Sequence, residues 1–384
     1  MFDLAGFVGL RCYGKSARHP SKLRVSSRWP LPWWITRRWA LLVLLTPVVL
    51  FAETSISPFG SWRRVSDEPV VWPQGSSWES AGTFNPTVLR VPIAQPPGDL
   101  HVRPTKIVML YRAQDASGTS RLGYAESLDG IHFTRLRADP VLSPEAEYEK
   151  DGGVEDPRLQ QIGDTFYLTY TGYNKKDAQL CLATSYDLMH WERQGVIVPA
   201  YKGNWNVGWT KSGAIVPEKI AGKYWMYWLG TAVDKTDQMG LSYSTDLMHW
   251  SEATGAPVLP KRAGKFDSRV VEPGPPPIVT SRGIVLVYNG ADDNLVYRTG
   301  IAVFARGNPR KLLYRSSEPV FVPEKEWEKT GQVPNVVFVE GMVRQGKRFL
   351  FYYGGADKYV GVAEAAVVGD DGLSPDTKWK FKIR

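Results

Sequence analysis

An internal repeat constrains the fold of this chain more than any other feature. The motif Ser-X-Asp-X-X-His-(Phe/Trp) occupies positions 127–133 and returns at 185–191 and 244–250, so its spacing is nearly constant. A period of roughly 60 residues implies that one supersecondary unit is copied along the chain and that neighbouring copies pack against each other.

A second pattern gives the number of units. Short apolar, aromatic-rich segments of strand length occupy positions 107–111, 166–170, 224–228, 284–288 and 349–353. They keep the same period as the motif. Five such segments joined by turns predict an all-β fold, specifically a five-bladed β-propeller. A two-sheet sandwich is the alternative, although it does not require a regular period. One short helix is expected near positions 324–329.

The repeated motif carries three histidines, His132, His190 and His249. Because they occupy the same turn of successive units, we expect them outside the ring and far from one another. The pattern therefore favours a turn-packing motif over a metal site. No His/carboxylate cluster in the sequence has the spacing of metal ligands, so no metal or other cofactor is predicted.

The N-terminal segment is typical of a targeting signal. Arg37-Arg38 precede an apolar run over positions 39–51 that ends near Ala52. This order of charged, apolar and small residues predicts that residues 1–52 are a removable signal and that residues 53–384 form one catalytic domain. The predicted location is periplasmic or secreted. The alternative is an uncleaved segment that anchors the protein to a membrane.

Charge and cysteine content exclude several classes of function. The net charge is +8, but residues 1–52 hold eight Lys/Arg and one acid, which leaves 39 basic and 38 acidic residues elsewhere. No excess of positive charge remains to bind a nucleic acid backbone. Cys181 is the single cysteine after position 52, so an internal disulfide and a cysteine-based zinc site are excluded from the predicted mature domain.

Polar residues recur near the start of the strand that precedes each aromatic segment. They are Asn85, Asp156, Lys211, Glu272 and Asn335. Because their spacing keeps the unit period, we expect all five to face one funnel. Two carboxylates are the usual acid and base of glycoside cleavage, while amides and cations bind hydroxyls and anions.

Several ordered motifs resemble one enzyme family, the inverting mannoside phosphorylases and mannosidases of glycoside hydrolase family 130. They are Phe84-Asn85-Pro86, Tyr111-Arg112-Ala113, Glu155-Asp156-Pro157-Arg158, Lys211 with Gly213-Ala214-Ile215, Val333-Pro334-Asn335 and Gly355-Ala356-Asp357. The resemblance implies a five-bladed propeller with Asp156 as general acid, which protonates the glycosidic oxygen through a mannose hydroxyl. It also implies that Arg112, Arg158 and Lys211 bind the sugar or phosphate.

Two departures from the family pattern favour hydrolysis over phosphorolysis. Asn289 stands where the phosphorylases carry a His, and Glu272 stands where they carry a small residue. Export points the same way, because phosphorolysis conserves energy only where the sugar phosphate stays in the cytoplasm. We therefore expect an inverting β-mannosidase acting on manno-oligosaccharides, with Asp156 as acid and Glu272 as base.

The remaining expectations concern ligands. The residues expected to bind the oligosaccharide are Asn85, Arg112, Arg158, Lys211, Asn335 and Asp357. A β-mannoside phosphorylase that releases mannose 1-phosphate is the alternative reaction, and only then is inorganic phosphate a co-substrate. A non-catalytic carbohydrate-binding propeller is the second alternative.

Overall fold

A computed structural model describes residues 57–75, 77–93 and 104–368. The predicted targeting segment, residues 1–52, lies outside the described residues, so its removal and the export of the protein stay predictions. The described chain is all-β. Its helical residues are a 3₁₀ turn (Glu147–Glu149) and α1 (Glu326–Lys329), the second of which lies where a short helix was predicted.

The strands fall into five consecutive units, numbered here in chain order. After β1 (Phe59–Arg64), unit 1 contains β2 (Gly82–Pro92), β3 (Thr105–Gln114), β4 (Ser120–Ser127) and β5 (Thr134–Arg135). Unit 2 contains β6 (Gly153–Ile162), β7 (Thr165–Tyr173), β8 (Ala178–Ser185) and β9 (Glu192–Val198). Unit 3 contains β10 (Asn206–Ile215), β11 (Tyr224–Ala232), β12 (Asp237–Ser244) and β13 (Ser251–Glu252).

The last two units complete the chain. Unit 4 contains β14 (Val270–Pro273), β15 (Ile278–Thr280), β16 (Gly283–Ala291), β17 (Tyr297–Ala305) and β18 (Asn308–Arg315). Unit 5 contains β19 (Val337–Gln345), β20 (Arg348–Gly355) and β21 (Tyr359–Val367), together with β1 as its fourth strand.

Each unit is an antiparallel meander. In unit 4, β14 and β15 both pair with β16 and together act as the first strand. In unit 5, β1 pairs antiparallel with β21, with Trp62 opposite Ala365, so both ends of the described chain complete one sheet. The first strands contact each other, since β2 contacts β6 and β19, and β10 contacts β6 and β14.

Side-chain alternation along the second strands explains how the units pack. In β3, Val108 and Leu110 join a core shared with unit 2, whereas Met109 and Tyr111 join a core shared with unit 5. Three further cores lie between units 2 and 3, units 3 and 4, and units 4 and 5. The aromatic segments are apolar at nearly every position, with Thr169 as the exception, because both faces of each second strand are buried.

A buried acid links the second and fourth strands in four of the five units. It accepts a hydrogen bond from the tyrosine hydroxyl that ends the aromatic segment and pairs with an arginine of the outer strand. The four sets are Tyr111–Glu79–Arg135, Tyr170–Glu149–Arg193, Tyr288–Asp267–Arg315 and Tyr353–Glu328–Arg64. We call each set a tyrosine lock. In unit 3, Trp228 occupies the tyrosine position and stacks on Trp205 at 5.4 Å between ring centroids.

The repeated Ser-Asp-His motif forms the turn after the third strand of units 1 to 3. In unit 2, Asp187 Oδ1 accepts the backbone N–H groups of Met189 and His190 at 2.8 Å, and Asp187 Oδ2 lies 2.7 Å from His190 Nδ1. The three histidine side chains are exposed and each contacts the aspartate of its own turn. The residues of each motif thus stabilise their own turn through local hydrogen bonds.

No helix within the described ranges is long and apolar enough to cross a membrane.

Candidate active site

The first strand of each unit is irregular where it reaches the candidate site. The pairing register with the second strand shifts at Phe84/Pro86, Glu155/Arg158, Lys211/Ala214 and Val339/Gly341, and in unit 4 the strand is broken between β14 and β15. The backbone is left-handed at Asn85 (φ 45°) and Asp156 (φ 49°). Asn and Asp tolerate this conformation better than most residues, and a bulge redirects a side chain out of the alternation of the strand.

The carboxylate of Asp156 is buried at the centre of this arrangement. Its Oδ1 accepts a hydrogen bond from Asn85 Nδ2 at 2.7 Å and another from Arg112 Nη1 at 2.9 Å. Burial alone would raise the pKa of Asp156, but the charges of Arg112, Lys211 and Arg158 outweigh it and hold this pKa below its usual value. Asp156 is therefore ionised at neutral pH in the ligand-free site.

The guanidinium of Arg112 is held from three sides. Its Nη2 donates to Glu155 Oε1 at 2.6 Å, its Nε donates to Ser120 Oγ at 3.0 Å, and the group lies 4.7 Å from the centre of the Phe84 ring. Asp357 adds a further negative charge nearby, and burial raises the pKa of Asp357 to about 6 against the lowering effect of Arg112. Arg112 thus presents a fixed positive charge beside Asp156.

Lys211 brings a second cation to the site. Its Nζ lies 3.9 Å from Glu155 Oε2 and 5.4 Å from the centre of the Trp209 ring. Burial would lower the pKa of Lys211, but Glu155, Asp156 and Glu272 raise it overall. The ammonium group is charged at neutral pH, and the contacts that hold it are long, which leaves it able to bind an incoming anion.

Glu272, like Glu155, is a buried carboxyl group of the site, and its charge interacts with that of Asp156. The hydroxyl of Ser212, whose backbone is also left-handed, donates to Glu272 Oε1. Burial raises the pKa of Glu272 to about 7, with the charge of Arg158 opposing the rise and that of Asp156 adding to it. Glu272 is thus divided between its protonated and ionised forms near neutral pH.

Arg158 anchors two segments of the site, with its side-chain donors directed at protein atoms. Nη1 donates to the Asp156 carbonyl at 3.0 Å, Nη2 to the Pro273 carbonyl at 2.8 Å and Nε to the Gly274 carbonyl at 3.2 Å. The side chain is 1% exposed. Its geometry therefore fits a positioning role, fixing the backbone that carries Asp156 relative to the backbone that carries Glu272.

Glu340 is a site residue that the sequence analysis missed. It lies at the bulge of β19, is fully buried, and places Oε1 3.4 Å from Arg158 Nη1. Neither of its carboxyl oxygens has a hydrogen-bond partner among the described residues, and burial raises its pKa well above the usual range. The signal that would have found it is an acid between Val339 and Gly341, within the first strand of the fifth unit.

Two asparagines singled out in the sequence have structural contacts. Asn335 precedes β19, has a left-handed backbone (φ 60°), and accepts the Tyr297 N–H at its carbonyl at 3.0 Å. In unit 2, Glu155 pairs with the residue that follows the lock tyrosine. In unit 5, the residue that pairs at the equivalent position, opposite Gly354, is Phe338. Asn289 bonds the Val339 backbone twice, donating to its carbonyl and accepting its N–H at 2.9 Å each.

The described contacts thus join Asn85, Arg112, Asp156 and Lys211 directly or through Glu155, while Glu272 and Asp357 interact with them electrostatically. These residues come from all five units, with unit 5 contributing Asp357 from the turn before β21. Among the predicted site residues, Asn335 makes its described hydrogen bond through its backbone carbonyl.

Comparisons with known proteins agree with a carbohydrate-active site. A family model described as beta-1,4-mannooligosaccharide phosphorylase matches residues 62–368. The chain is 38% identical over 312 residues to a 1,2-beta-oligomannan phosphorylase of Thermoanaerobacter sp. (strain X514), and the match covers 78% of this chain and 96% of the relative. It is 31% identical over 317 residues to a beta-1,2-mannobiose phosphorylase of the same organism, covering 78% and 95%.

A solved structure gives a second line of similarity. It is 35% identical, covers 81% of this chain and 97% of its own, and has a TM-score of 0.69. According to its description, the GH130 family of mannoside phosphorylases contains glycoside hydrolases that target beta-1,2 mannosidic linkages in Candida mannan.

Proposed function

Since the chain belongs to glycoside hydrolase family 130, we propose that it is an inverting β-mannoside phosphorylase, which transfers a mannosyl group to inorganic phosphate and releases mannose 1-phosphate. β-1,2-Linked manno-oligosaccharides are the proposed substrates, because both Thermoanaerobacter relatives are named for that linkage. The expectation of a hydrolase from the sequence is replaced here, since these relatives and the matching family model are named as phosphorylases.

The observation that carries this proposal is the pair of cations beside the buried acid. Arg112 contacts the Asp156 carboxylate at 2.9 Å, and Lys211 lies on the other side of Glu155. Phosphate at neutral pH is a small anion with several acceptor oxygens, which arginine and lysine groups bind well. Two cations at one site suit the binding of phosphate, whereas a water nucleophile does not require them.

The same cations explain how Asp156 can act as an acid. In the ligand-free site they keep the pKa of Asp156 low. A phosphate bound beside Arg112 and Lys211 would offset their charge and raise that pKa, because a nearby anion favours the neutral carboxyl form. Phosphate binding would thus prepare the proton that Asp156 delivers to the departing glycosidic oxygen, while a phosphate oxygen forms the new bond at the anomeric carbon.

Hydrolysis is the second candidate function, and Glu272 is the observation that favours it. An inverting hydrolase needs a second carboxyl group as its base, and Glu272 is a buried carboxyl group whose charge interacts with that of Asp156; the solved structure described above is a related case. A pKa of about 7 makes Glu272 a base that is only partly ionised at neutral pH. If the enzyme is a hydrolase with Glu272 as its base, Glu272→Gln abolishes turnover. If it is a phosphorylase, activity survives that substitution.

The arrangement of the units supports a closed five-bladed propeller, which we propose as the architecture. The five cores lie between units 1 and 2, 2 and 3, 3 and 4, 4 and 5, and 5 and 1. Such a cyclic series is what a ring of five sheets requires. Asn85, Asp156, Lys211 and Glu272 then converge at one mouth of the ring because they lie at the same or adjacent steps of the first strands.

Synthesis in the reverse direction tests the proposed function. Purified protein is incubated with α-mannose 1-phosphate and mannose, and the products are separated by chromatography. A phosphorylase forms β-linked mannobiose and releases phosphate in equal amounts, because the reaction is reversible. If no disaccharide forms and no phosphate is released, while the same protein cleaves a β-mannoside in the absence of phosphate, the result contradicts phosphorolysis and supports the hydrolase.

A further inference from the structure

Three aromatic side chains lie together next to Lys211. Tyr173 ends β7, Trp209 lies in β10, and Tyr201 lies in the segment between β9 and β10. Trp209 Nε1 donates to Tyr201 Oη at 3.1 Å, and the rings of Tyr173 and Trp209 lie 5.7 Å apart at an angle of 58°. We call these three residues the aromatic platform.

The platform and its surroundings leave apolar surface exposed. Tyr201 is 55% exposed, whereas the lock tyrosine Tyr170 is fully buried. Val207 and Val233 are also exposed and lie at the same end of unit 3, because Asn206 pairs with Ala232 in adjacent strands. A group of exposed apolar side chains beside charged groups is typical of a ligand-binding surface.

The backbone of Tyr201 adopts an unfavourable conformation that the surrounding structure fixes. Its φ is 61°, a left-handed conformation that bulky residues rarely adopt, and its N–H donates to the Gly208 carbonyl at 2.8 Å. Non-glycine residues in this conformation persist where the surrounding structure fixes them and are concentrated at functional sites. The position of the ring is therefore imposed by the fold.

The platform borders the proposed catalytic site and has the chemistry of a sugar contact. Lys211 Nζ lies 5.4 Å from the Trp209 ring and 3.9 Å from Glu155, which in turn binds Arg112. Partial burial and a hydrogen bond to the Asp177 carboxylate raise the pKa of Tyr201. Aromatic faces accept the C–H surface of a pyranose ring, and the hydroxyl and carboxylate accept its O–H groups.

We infer that the aromatic platform is a distal sugar-binding subsite, which stacks a mannose residue beyond the two that flank the cleaved bond. The inference rests on the proposed function and extends it to the substrate: the enzyme acts on oligosaccharides of three or more sugars in preference to the disaccharide.

Two substitutions test the subsite. Tyr201→Asn removes the ring but keeps a residue that tolerates a left-handed backbone, and Trp209→Leu removes the aromatic face but keeps apolar volume. Tyr186→Asn is the matched control, because Tyr186 is 80% exposed and follows β8. The measurement is kcat/KM for β-1,2-linked mannobiose and mannotetraose with phosphate present, with mannose and mannose 1-phosphate counted together as product.

The expected result is that the ratio of kcat/KM for tetrasaccharide over disaccharide falls about tenfold in both platform variants and stays at the wild-type value in Tyr186→Asn. An unchanged ratio in Tyr201→Asn, with thermal unfolding like wild type, overturns the subsite while the proposed function stands. If the wild type turns over no mannoside of either length, the proposed function fails and the inference falls with it.

Discussion

Asp156 occupies a position where its charge is stabilised before any substrate binds. Asn85 and Arg112 donate to the same carboxylate oxygen, and Lys211 adds positive charge nearby. In the proposed mechanism, Asp156 depends on a bound phosphate to recover its proton, which links its role as general acid to phosphate binding. This dependence distinguishes it from an acid whose pKa is raised by burial alone.

Replacement of Asp156 is the direct test of its role. Asp156→Asn keeps the Arg112 side chain beside a polar group but removes the transferable proton, so kcat should fall about 10²–10⁴-fold. Steady-state kinetics on β-1,2-mannobiose gives the rate, and circular dichroism checks the fold. Asp164→Asn is the control, since Asp164 lies in the exposed turn after β6. An Asp156→Asn enzyme with wild-type kcat would remove Asp156 from catalysis.

Glu272 makes the stability of the protein depend on pH. Its pKa is about 7 in the folded protein against an ordinary value of 4.5, so the folded state binds more protons than the unfolded state between those two values. Stability contributed by this group is present below pH 4.5 and is lost as the pH rises through 7, by an amount on the order of 1–3 kcal/mol.

Thermal unfolding at pH 5 and pH 8 measures this effect. We expect the wild type to have the higher Tm at pH 5, with a smaller difference in Glu272→Gln because the amide does not titrate. Asp357, whose pKa is raised to about 6, contributes in the same direction and accounts for part of the slope that remains. A Glu272→Gln protein with the full wild-type pH dependence would contradict the buried-carboxyl account.

At the scale of the element, the tyrosine locks connect the inner and outer parts of each sheet. In unit 2, Glu149 accepts from the Tyr170 hydroxyl at 2.7 Å and from Arg193 Nε at 3.0 Å, and it also accepts the backbone N–H groups of Glu145 and Ala146. One carboxylate thereby joins β7, β9 and the segment before the 3₁₀ turn. Its side chain is fully buried, so the lock is shielded from solvent.

Removal of this acid should destabilise the protein strongly. Glu149→Ala leaves Tyr170 and Arg193 without their buried partner, so we expect a loss of about 3–5 kcal/mol in the free energy of unfolding. Glu145→Ala is the matched control: Glu145 also contacts Arg193, at 2.9 Å, but its side chain is 74% exposed, so the expected loss is below about 1 kcal/mol. Urea titration measures both. Equal losses in the two variants would mean that burial does not set the strength of the lock.

The strands were predictable from the sequence, whereas the locks were not. The aromatic segments recur with a regular period because each second strand is buried on both faces, and this periodicity is visible in one sequence. The lock acids lie at irregular distances from their tyrosines, 32 residues before Tyr111 and 25 before Tyr353. Only the folded chain brings such pairs together.

Candidate site residues could be predicted only where they follow the periodicity of the strands. Asn85 and Asp156 were predicted from their spacing near the strand starts, and the structure places both at left-handed bulge positions, which asparagine and aspartate tolerate. Asn335 was placed in register because Pro334-Asn335 resembles the other strand starts, but β19 begins only at Val337 and its bulge falls at Glu340. Asn335 therefore lies before the strand, and its role in substrate binding stays a prediction.

At the scale of the whole molecule, the N-terminal strand completes the last unit. β1 pairs with β21, Trp62 stacks on Phe351 with ring centroids 3.7 Å apart, and Arg64 joins the lock of unit 5 through Glu328. A chain that starts at position 65 loses all three interactions. It leaves the outer edge of β21 unpaired and the core of unit 5 partly open.

Two truncations test this closure. A chain spanning 65–384 should unfold at a much lower temperature than the full protein or aggregate, because an unpaired apolar strand edge is exposed. A chain spanning 57–384 keeps β1 and serves as the control, with a Tm near that of the full protein expected. Calorimetry compares the two. Equal Tm values for both truncations would show that β1 is dispensable and that the sheet is complete without it.

The central claim, that this site cleaves β-mannosides with phosphate as the nucleophile, is tested most directly by following one substrate with and without phosphate. Purified protein is incubated with β-1,2-mannobiose, and the products are resolved by ³¹P and ¹H nuclear magnetic resonance. We predict that mannose 1-phosphate and mannose form in equal amounts, that the rate rises and saturates with phosphate, and that little cleavage occurs without it. Release of two mannose molecules at a rate independent of phosphate would contradict the account and assign the site to hydrolysis.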